Sequence, residues 1–347
     1  MTQHVGIWAA SVEFQTYTIA RAATSCSCPV FVITAPKDKI AHFGHSLYYD
    51  KLKKLPHVKV LNSWDGLHLD WLYIQISSDL PRGELAEAVK HSRHIGLFSS
   101  CGKTSFSKTL LSQVKEVIKY FPVTLKAERV FLADGFYPTD LYSIWAKRYL
   151  MGIDVHSNFL DNPDLLLKMF AFEWKPEVTR KYRLNFIGNR KPQFRTELIN
   201  TIKSYLISQN LWNSSEYLWI EYGDEPGEKR GVPPAEFIHY LTESDFTLCP
   251  PGYAKLTHRV IEALVRGSIP VLHTEELELY DSHLQDQINC LAVHHSNWVK
   301  AIDQLIHMPE SKIVQIRSSI LAMKEDILSN EAFSRKLGTK MGLVYEP

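Results

Sequence analysis

The chain has 347 residues, 45% of them hydrophobic and 22% charged, with 39 basic against 38 acidic side chains. That length favours two domains at roughly 100–200 residues each, and the composition is that of an ordinary globular protein with apolar material for two cores. A near-zero net charge without a basic stripe argues against a nucleic-acid binder, and the short basic run Arg180-Lys181-Tyr182-Arg183 reads as a solvated linker.

In chain order, Val5-Gly6-Ile7-Trp8-Ala9 reads as a strand and Phe14 to Ala23 as a helix. The apolar runs 30–33, 58–61, 72–76, 95–98 and 129–132 read as further strands. Ser107 to Tyr120 carries Leu110, Leu111, Val114, Val117 and Ile118 at helical spacing. Strand–helix alternation of this kind predicts a parallel sheet covered on both faces. Residues 151–181 break the rhythm with Asp161-Asn162-Pro163-Asp164 and Trp174-Lys175-Pro176-Glu177, and read as the connection between domains. The alternation then restarts. Strands are expected at 184–187, 217–220, 246–249, 269–272 and 289–293, with helices at 193–207, 234–240, 255–266, 298–307 and 312–328. The expected plan is α/β: an N-terminal Rossmann-like domain over 1–165, a second over 166–325 facing it across a cleft, and a helical tail over 326–347.

The cysteines, Cys26, Cys28, Cys101, Cys249 and Cys290, are odd in number and scattered, which argues against a disulfide framework. They read as reduced thiols. Met1-Thr2-Gln3-His4 leads straight into an apolar strand, so no signal peptide is expected. No apolar run reaches the roughly 18 residues of a membrane span. The expectation is a cytoplasmic protein, with room for peripheral association at the inner face of the membrane.

The stretch from Ser244 to Leu272 carries the chemistry. A strand ends at Cys249, and Pro250, Pro251 and Gly252 form a rigid turn in which glycine lets the backbone approach a ligand. A helix starting near Lys255 to Thr257 presents unpaired N–H groups and a positive dipole end, which suit a diphosphate. Arg259 lies in its first turns and Glu262 three residues on, so both share one face. An arginine there can pair with phosphate oxygens, and the carboxylate can accept ribose hydroxyls. The same spacing also fits an intrahelical surface ion pair. Gly267 is placed to close the helix.

This segment resembles the signature of the exostosin-like glycosyltransferases through Leu248-Cys249-Pro250, Gly252, Thr257, Arg259, Glu262, Ala263, Gly267 and Ile269-Pro270-Val271. Upstream, Asn185-Phe186-Ile187-Gly188-Asn189-Arg190, followed by Arg195, is similar to the family's Gly-Asn-Arg loop and its downstream arginine. The resemblance covers about residues 184–293. It implies the GT-B fold, inversion at the transferred sugar, and a nucleotide-diphosphate sugar donor, most often a UDP-sugar. It places Thr257, Arg259 and Arg190 or Arg195 at the diphosphate and Glu262 at the ribose, with Gly188, Asn189, Pro250, Gly252, Tyr253 and Lys255 in the donor loops. Pro251 departs from the basic residue that many members carry there. The acceptor would be a glycan or lipid-linked glycan in polysaccharide synthesis.

No Asp-x-Asp metal clamp stands out, so neither a metal nor a cofactor is expected. For a base, Asp134 and Glu13 rank first, since each follows a strand of the N-terminal half; Asp65, His68, His42 and His45 are weaker candidates. Three alternatives stay open. One is a fucosyltransferase-like GT-B enzyme using a GDP-sugar. Another is a non-catalytic nucleotide-sugar-binding subunit of a polysaccharide assembly complex. The third, a dinucleotide oxidoreductase, is disfavoured because Ala9-Ala10-Ser11-Val12-Glu13 lacks the G-x-G-x-x-G fingerprint.

Overall fold

The structure, a computed structural model, describes residues 2–10, 12–34, 45–64, 66–76, 82–99, 118, 123, 125–132, 146–171, 173–190, 193–212, 214–223, 231–252, 255–280, 283–324, 329 and 331–345. It divides into two compact units, residues 1–152 with 333–347, and residues 153–332.

The first unit is built on a seven-stranded sheet of order β3-β2-β1-β4-β5-β6-β7, parallel throughout. Its strands are β1 Val5–Ala9, β2 Val30–Thr34, β3 Val58–Leu61, β4 Leu69–Ile76, β5 Ser92–Ser99, β6 Ala127–Leu132 and β7 Lys147–Leu150. Helices α1 Phe14–Ser25, α2 His45–Leu52 and α3 Arg82–Lys90 accompany them. β1 is buried at every position, as a central parallel strand covered on both faces must be. β7 escapes a sequence reading because Lys-Arg-Tyr-Leu is a half-exposed edge strand whose two charged residues mask the β pattern.

The second unit carries a five-stranded parallel sheet of order β12-β11-β10-β8-β9. Its strands are β8 Tyr182–Asn189, β9 Tyr217–Tyr222, β10 Ser244–Leu248, β11 Ile269–His273 and β12 Leu291–Val293. Around them lie α4 Ser157–Leu160, α5 Pro163–Met169, α6 Gln193–Ser208, α7 Pro234–Thr242, α8 His258–Val265, α9 Trp298–Ile306 and α10 Glu310–Ala322. A last helix, α11 Ala332–Met341, follows. Among the described residues, no helix is long and apolar enough to cross a membrane. Cys26, Cys28, Cys249 and Cys290 are buried thiols outside any disulfide; Cys101 and most of the helix expected over 107–120 lie outside the described residues.

The boundaries differ from the expected ones. The break falls after Gly152, whose φ of +74° turns the chain, instead of after residue 165. Residues 153–156 belong to the second unit because their backbone is tied to α8. His258 Nδ1 lies 2.6 Å from the Asp154 carbonyl, and the His156 N–H donates to Glu262 at 3.0 Å. The tail returns to the first unit in place of forming a separate segment. Leu337, Met341 and Leu343 join that core, the Tyr73 hydroxyl donates to the Met341 carbonyl, and Lys340 reaches the Leu150 carbonyl at 3.1 Å.

The basic run at 180–183 is not a solvated linker. Arg180 donates to the carbonyls of Leu241, Ser244 and Arg266 at 3.3, 2.8 and 3.2 Å. Arg183 donates to the Leu305 carbonyl at 3.0 Å and to Asp245 at 3.2 Å. Both guanidiniums clamp the amino-terminal end of the second sheet.

Helix α8 ends in a Schellman motif. Gly267 N–H donates to Leu264 and Ser268 N–H to Ala263, each at 2.9 Å. Gly267 has φ +67°, and a Cβ there would sit 2.4 Å from the Trp174 ring. Gly267→Ala is therefore expected to cost about 1–3 kcal/mol, read as a lower urea midpoint; an unchanged midpoint would contradict this account of the helix end.

Candidate functional site

The order β12-β11-β10-β8-β9 reverses direction between β8 and β10, a topological switch point, and ligands of such sheets bind beyond the strand ends there. A cavity of about 430 Å³ lies at that place, within the second unit, lined among others by Gly188, Arg195, Pro250, Gly252, Thr257, Arg259 and Glu262. Its size is in the ordinary range for a small-molecule site.

Thr257 is the N-cap of α8, but its side chain does not cap the helix. Its N–H donates to the Tyr280 hydroxyl at 2.8 Å. The Val260 N–H turns back to the Thr257 carbonyl at 3.4 Å, and the positive end of the helix dipole points toward this end of the cavity wall, where Thr257 and Arg259 both line it.

The alternative of an intrahelical surface pair does not hold, because the pair is not at the surface. Glu262 is only 4% exposed, and Val260, Ala263, Leu264 and Val265 are buried around it. Its Oε1 accepts the His156 N–H at 3.0 Å, and Oε2 stands 3.8 Å from Arg259 Nε. Burial raises the Glu262 carboxyl above the ordinary carboxylate range, against the pull of Arg259 and the His156 amide. Arg259 donates to the Ile187 carbonyl at the end of β8, and its guanidinium lies 4.8 Å from the Phe237 ring centroid. Phe159 stacks on the same ring, at 6.0 Å between centroids. Arg259 Nε is buried with no hydrogen-bond partner. A buried unsatisfied donor is rare in proteins and calls for a specific cause.

Two histidines sit beside the pair. The His156 and His258 rings meet edge to face at 5.0 Å, and burial lowers the His258 imidazole to about 4, although its bond to the Asp154 carbonyl works the other way. At neutral pH His258 is uncharged, with its Nδ1 proton directed at that carbonyl.

Other expected site residues lie elsewhere. Arg190 pairs with Glu221, which also binds Lys203 and, at 2.7 Å, Trp219 Nε1; Arg190 is half-exposed and does not line the cavity. Asn189 lends its carbonyl to Arg195. Lys255 is exposed and sits 3.4 Å from Glu275. Arg195 reaches the cavity, but its N–H groups donate to the carbonyls of Pro251 and Pro250, both at 2.8 Å, and of Asn189 at 3.3 Å. Glu13 is the half-buried N-cap residue of α1 in the first unit. Asp134 and Tyr253 lie outside the described residues, as do Asp65 and His42.

Sequence reasoning missed His156, Asn158, Phe159, Phe237 and His258 as cavity-lining residues. Phe237 reads as one more apolar position of an amphipathic helix. His156, Asn158 and Phe159 fall in a stretch with no periodic signal, and only tertiary contacts mark them: His156 meets Glu262 and His258 of α8, and Phe159 stacks on Phe237 of α7.

Residues 168–298 match the family model described as the RXYLT1 C-terminal domain. No curated protein sequence matches the chain. Among solved structures, Anabaena Alr3699/HepE in complex with UDP aligns with a TM-score of 0.54 at 10% identity, covering 99% of this chain and 100% of that one. Sucrose-phosphate synthase (tll1590) from Thermosynechococcus elongatus aligns with a TM-score of 0.52 at 9% identity, covering 97% of this chain and 98% of that one. A UDP-glucosyltransferase from Polygonum tinctorium, in complex with 3,4-dichloroaniline, gives 0.50 at 11% identity, with 99% and 98% covered. These are likenesses of fold: the chain has the GT-B architecture of two parallel-sheet units.

The His258 imidazole makes the folded state poorer in protons than the unfolded state between about 4 and the ordinary 6.5. Its contribution to stability is complete above 6.5 and is lost as pH falls toward 4. The slope of unfolding free energy against pH across this window is expected to flatten in His258→Asn, followed by urea titration at several pH values; an unaltered slope would show that His258 ionises normally.

Proposed function

We propose that the protein is an inverting glycosyltransferase, exostosin-like in its second unit, that moves a sugar from a nucleotide-diphosphate donor to a glycan or lipid-linked glycan in polysaccharide synthesis. The observation that carries this reading is the Arg259–Glu262 pair lining the cavity at the switch point, its carboxylate buried and its guanidinium Nε unsatisfied, at a helix N-terminus that has no side-chain cap from Thr257. Arg259 and the first-turn N–H groups of α8 take the diphosphate, and Glu262 takes ribose hydroxyls. A UDP-sugar is the preferred donor. The sequence resemblance favours it, and the Anabaena structure of like fold was solved with UDP and with UDP-glucose.

Breaking the sugar–phosphate bond builds positive charge on the sugar ring and negative charge on the leaving diphosphate. A preorganised donor aimed at such developing charge is worth about 3–4 kcal/mol in the transition state. Arg259 and the helix supply that stabilisation, so the reaction is read as independent of a divalent metal. The acceptor hydroxyl loses its proton to a carboxylate of the first unit, Asp134 or Glu13.

Arg259→Ala and Glu262→Ala are each expected to weaken UDP-sugar binding or turnover by at least about tenfold, ~1.4 kcal/mol, with cooperative unfolding retained. Wild-type kinetics in both variants would refute the assignment. A binding and turnover screen of UDP- and GDP-sugars, run with and without EDTA, is expected to single out a UDP-sugar and to show full activity with the chelator. Strict dependence on added Mn²⁺ would refute the metal-free mechanism. Preference for GDP-sugars would favour a fucosyltransferase-like enzyme, and binding without transfer or hydrolysis a passive subunit.

A further inference from the structure

Arg195 stands in the first turn of α6, where the helix dipole disfavours a cation. Burial lowers its guanidinium to about 10, and neighbouring Arg259 adds to the effect. A charge held at such cost has a task, and the obvious one would be to bind phosphate. Its hydrogen bonds point elsewhere.

Arginine grips a phosphate best with the two parallel N–H groups of its Nε–Nη2 edge. In Arg195 that edge is spent on consecutive carbonyls, Nε on Pro251 and Nη2 on Pro250, each at 2.8 Å. The remaining arm, Nη1, donates to Asn189 at 3.3 Å. These acceptors come from the last residue of β8 and from the turn following β10, which flank the switch point. The turn needs such a partner. Pro250 and Pro251 carry carbonyls but no N–H, so neither can anchor the turn as a backbone donor. Carbonyl oxygens left bare at this place would also present partial negative charge to an incoming anion.

We infer that Arg195 is a positioning residue for the diphosphate seat: it fastens the Pro250–Pro251 turn to the carboxyl end of β8 at Asn189 and neutralises three carbonyl dipoles, without itself gripping phosphate. This rests on the nucleotide-sugar reading of the same cavity. It assigns different work to two neighbouring guanidiniums, Arg259 to the ligand and Arg195 to the walls that hold it.

The distinction is testable because a fork and a point charge are not interchangeable. A lysine keeps the charge but cannot reach three carbonyls in fixed geometry. UDP and uridine would be titrated by calorimetry into wild-type protein, Arg195→Lys, Arg195→Ala and Arg259→Ala. For both Arg195 variants the expected result is a loss of at least about tenfold in UDP affinity, with uridine affinity unchanged and partial recovery of UDP binding when guanidinium ion is added to Arg195→Ala. Arg195→Lys keeps the test available should the alanine variant not fold. UDP affinity in Arg195→Lys within about threefold of wild type would show that charge alone suffices, and would overturn the positioning role. Equal losses for uridine and UDP would overturn it as well, by revealing general damage to the unit. Wild-type protein that binds neither compound would fail the nucleotide reading first, a result separable from either of these.

Discussion

The site depends on taking one carboxylate out of water. Helix α8 follows the central strand β10 and packs so closely that Glu262 keeps only 4% of its side-chain surface. A carboxylate in that position must find donors. Glu262 has a single backbone N–H, from His156, and a guanidinium at 3.8 Å, beyond hydrogen-bond reach. Arg259 is itself incomplete, with its Nε buried and unpartnered. A half-satisfied polar network costs stability, and this one lines a cavity at the switch point. A ligand that brings hydroxyls to the acid and anionic oxygens to the base supplies what both lack.

Arginine plays two opposed parts in this unit. At the amino-terminal end of the sheet, Arg180, Arg183, Arg266 and Arg317 donate mainly to backbone carbonyls. Arg266 reaches Lys168 and Met169 at 2.7 and 3.2 Å, and Arg317 reaches Pro176 and Val178 at 3.1 and 3.0 Å. Asp245 pairs with both Arg183 and Arg317. These guanidiniums tie connecting segments to the strands. At the carboxyl end, Arg195 does the same for the Pro250–Pro251 turn and the last residue of β8. Arg259 donates to Ile187 and lines the cavity, with its Nε unpaired. Arg317 Nε is also buried without a partner, so neither residue type nor an unpaired N–H separates the two parts; the position of Arg259 at the cavity does.

The linker between the two sequence halves acquires a role of the same kind. Ile153, Asp154 and Val155 are buried, and Asp154 and His156 contact α8 through backbone atoms. The walls of the cavity thus come from the β8 and β10 loops, from α7 through Phe237, and from the entry segment of the second unit through His156 and Phe159.

Much of this was legible in the chain itself. Apolar runs bounded by turn residues located β1 to β6 and β8 to β12 to within a few residues; central strands such as β1 and β10 are continuously apolar or buried because both faces are covered, and the edge strands β3 and β9 keep enough β-branched and aromatic residues to be read although they are half-exposed. The Gly267 helix stop and the adjacency of Arg259 and Glu262 also followed from sequence, since a left-handed cap and a three-residue helical spacing are local properties. What the chain alone did not reveal is non-local. The surface-pair and ligand readings of Arg259–Glu262 have the same spacing, and only the packing of α8 against residues 153–160 settles how deeply the pair is buried. Arg190 and Arg195 read alike as diphosphate ligands, yet one turns to Glu221 on β9 and the other to the Pro250–Pro251 turn. The tail reads as a separate helix but closes the first core, because its apolar face meets residues more than 200 positions away. Local sequence fixes backbone preference and spacing; which carbonyl or carboxylate stands opposite a guanidinium is decided by contacts between distant segments, and those exist only once the sheets have formed.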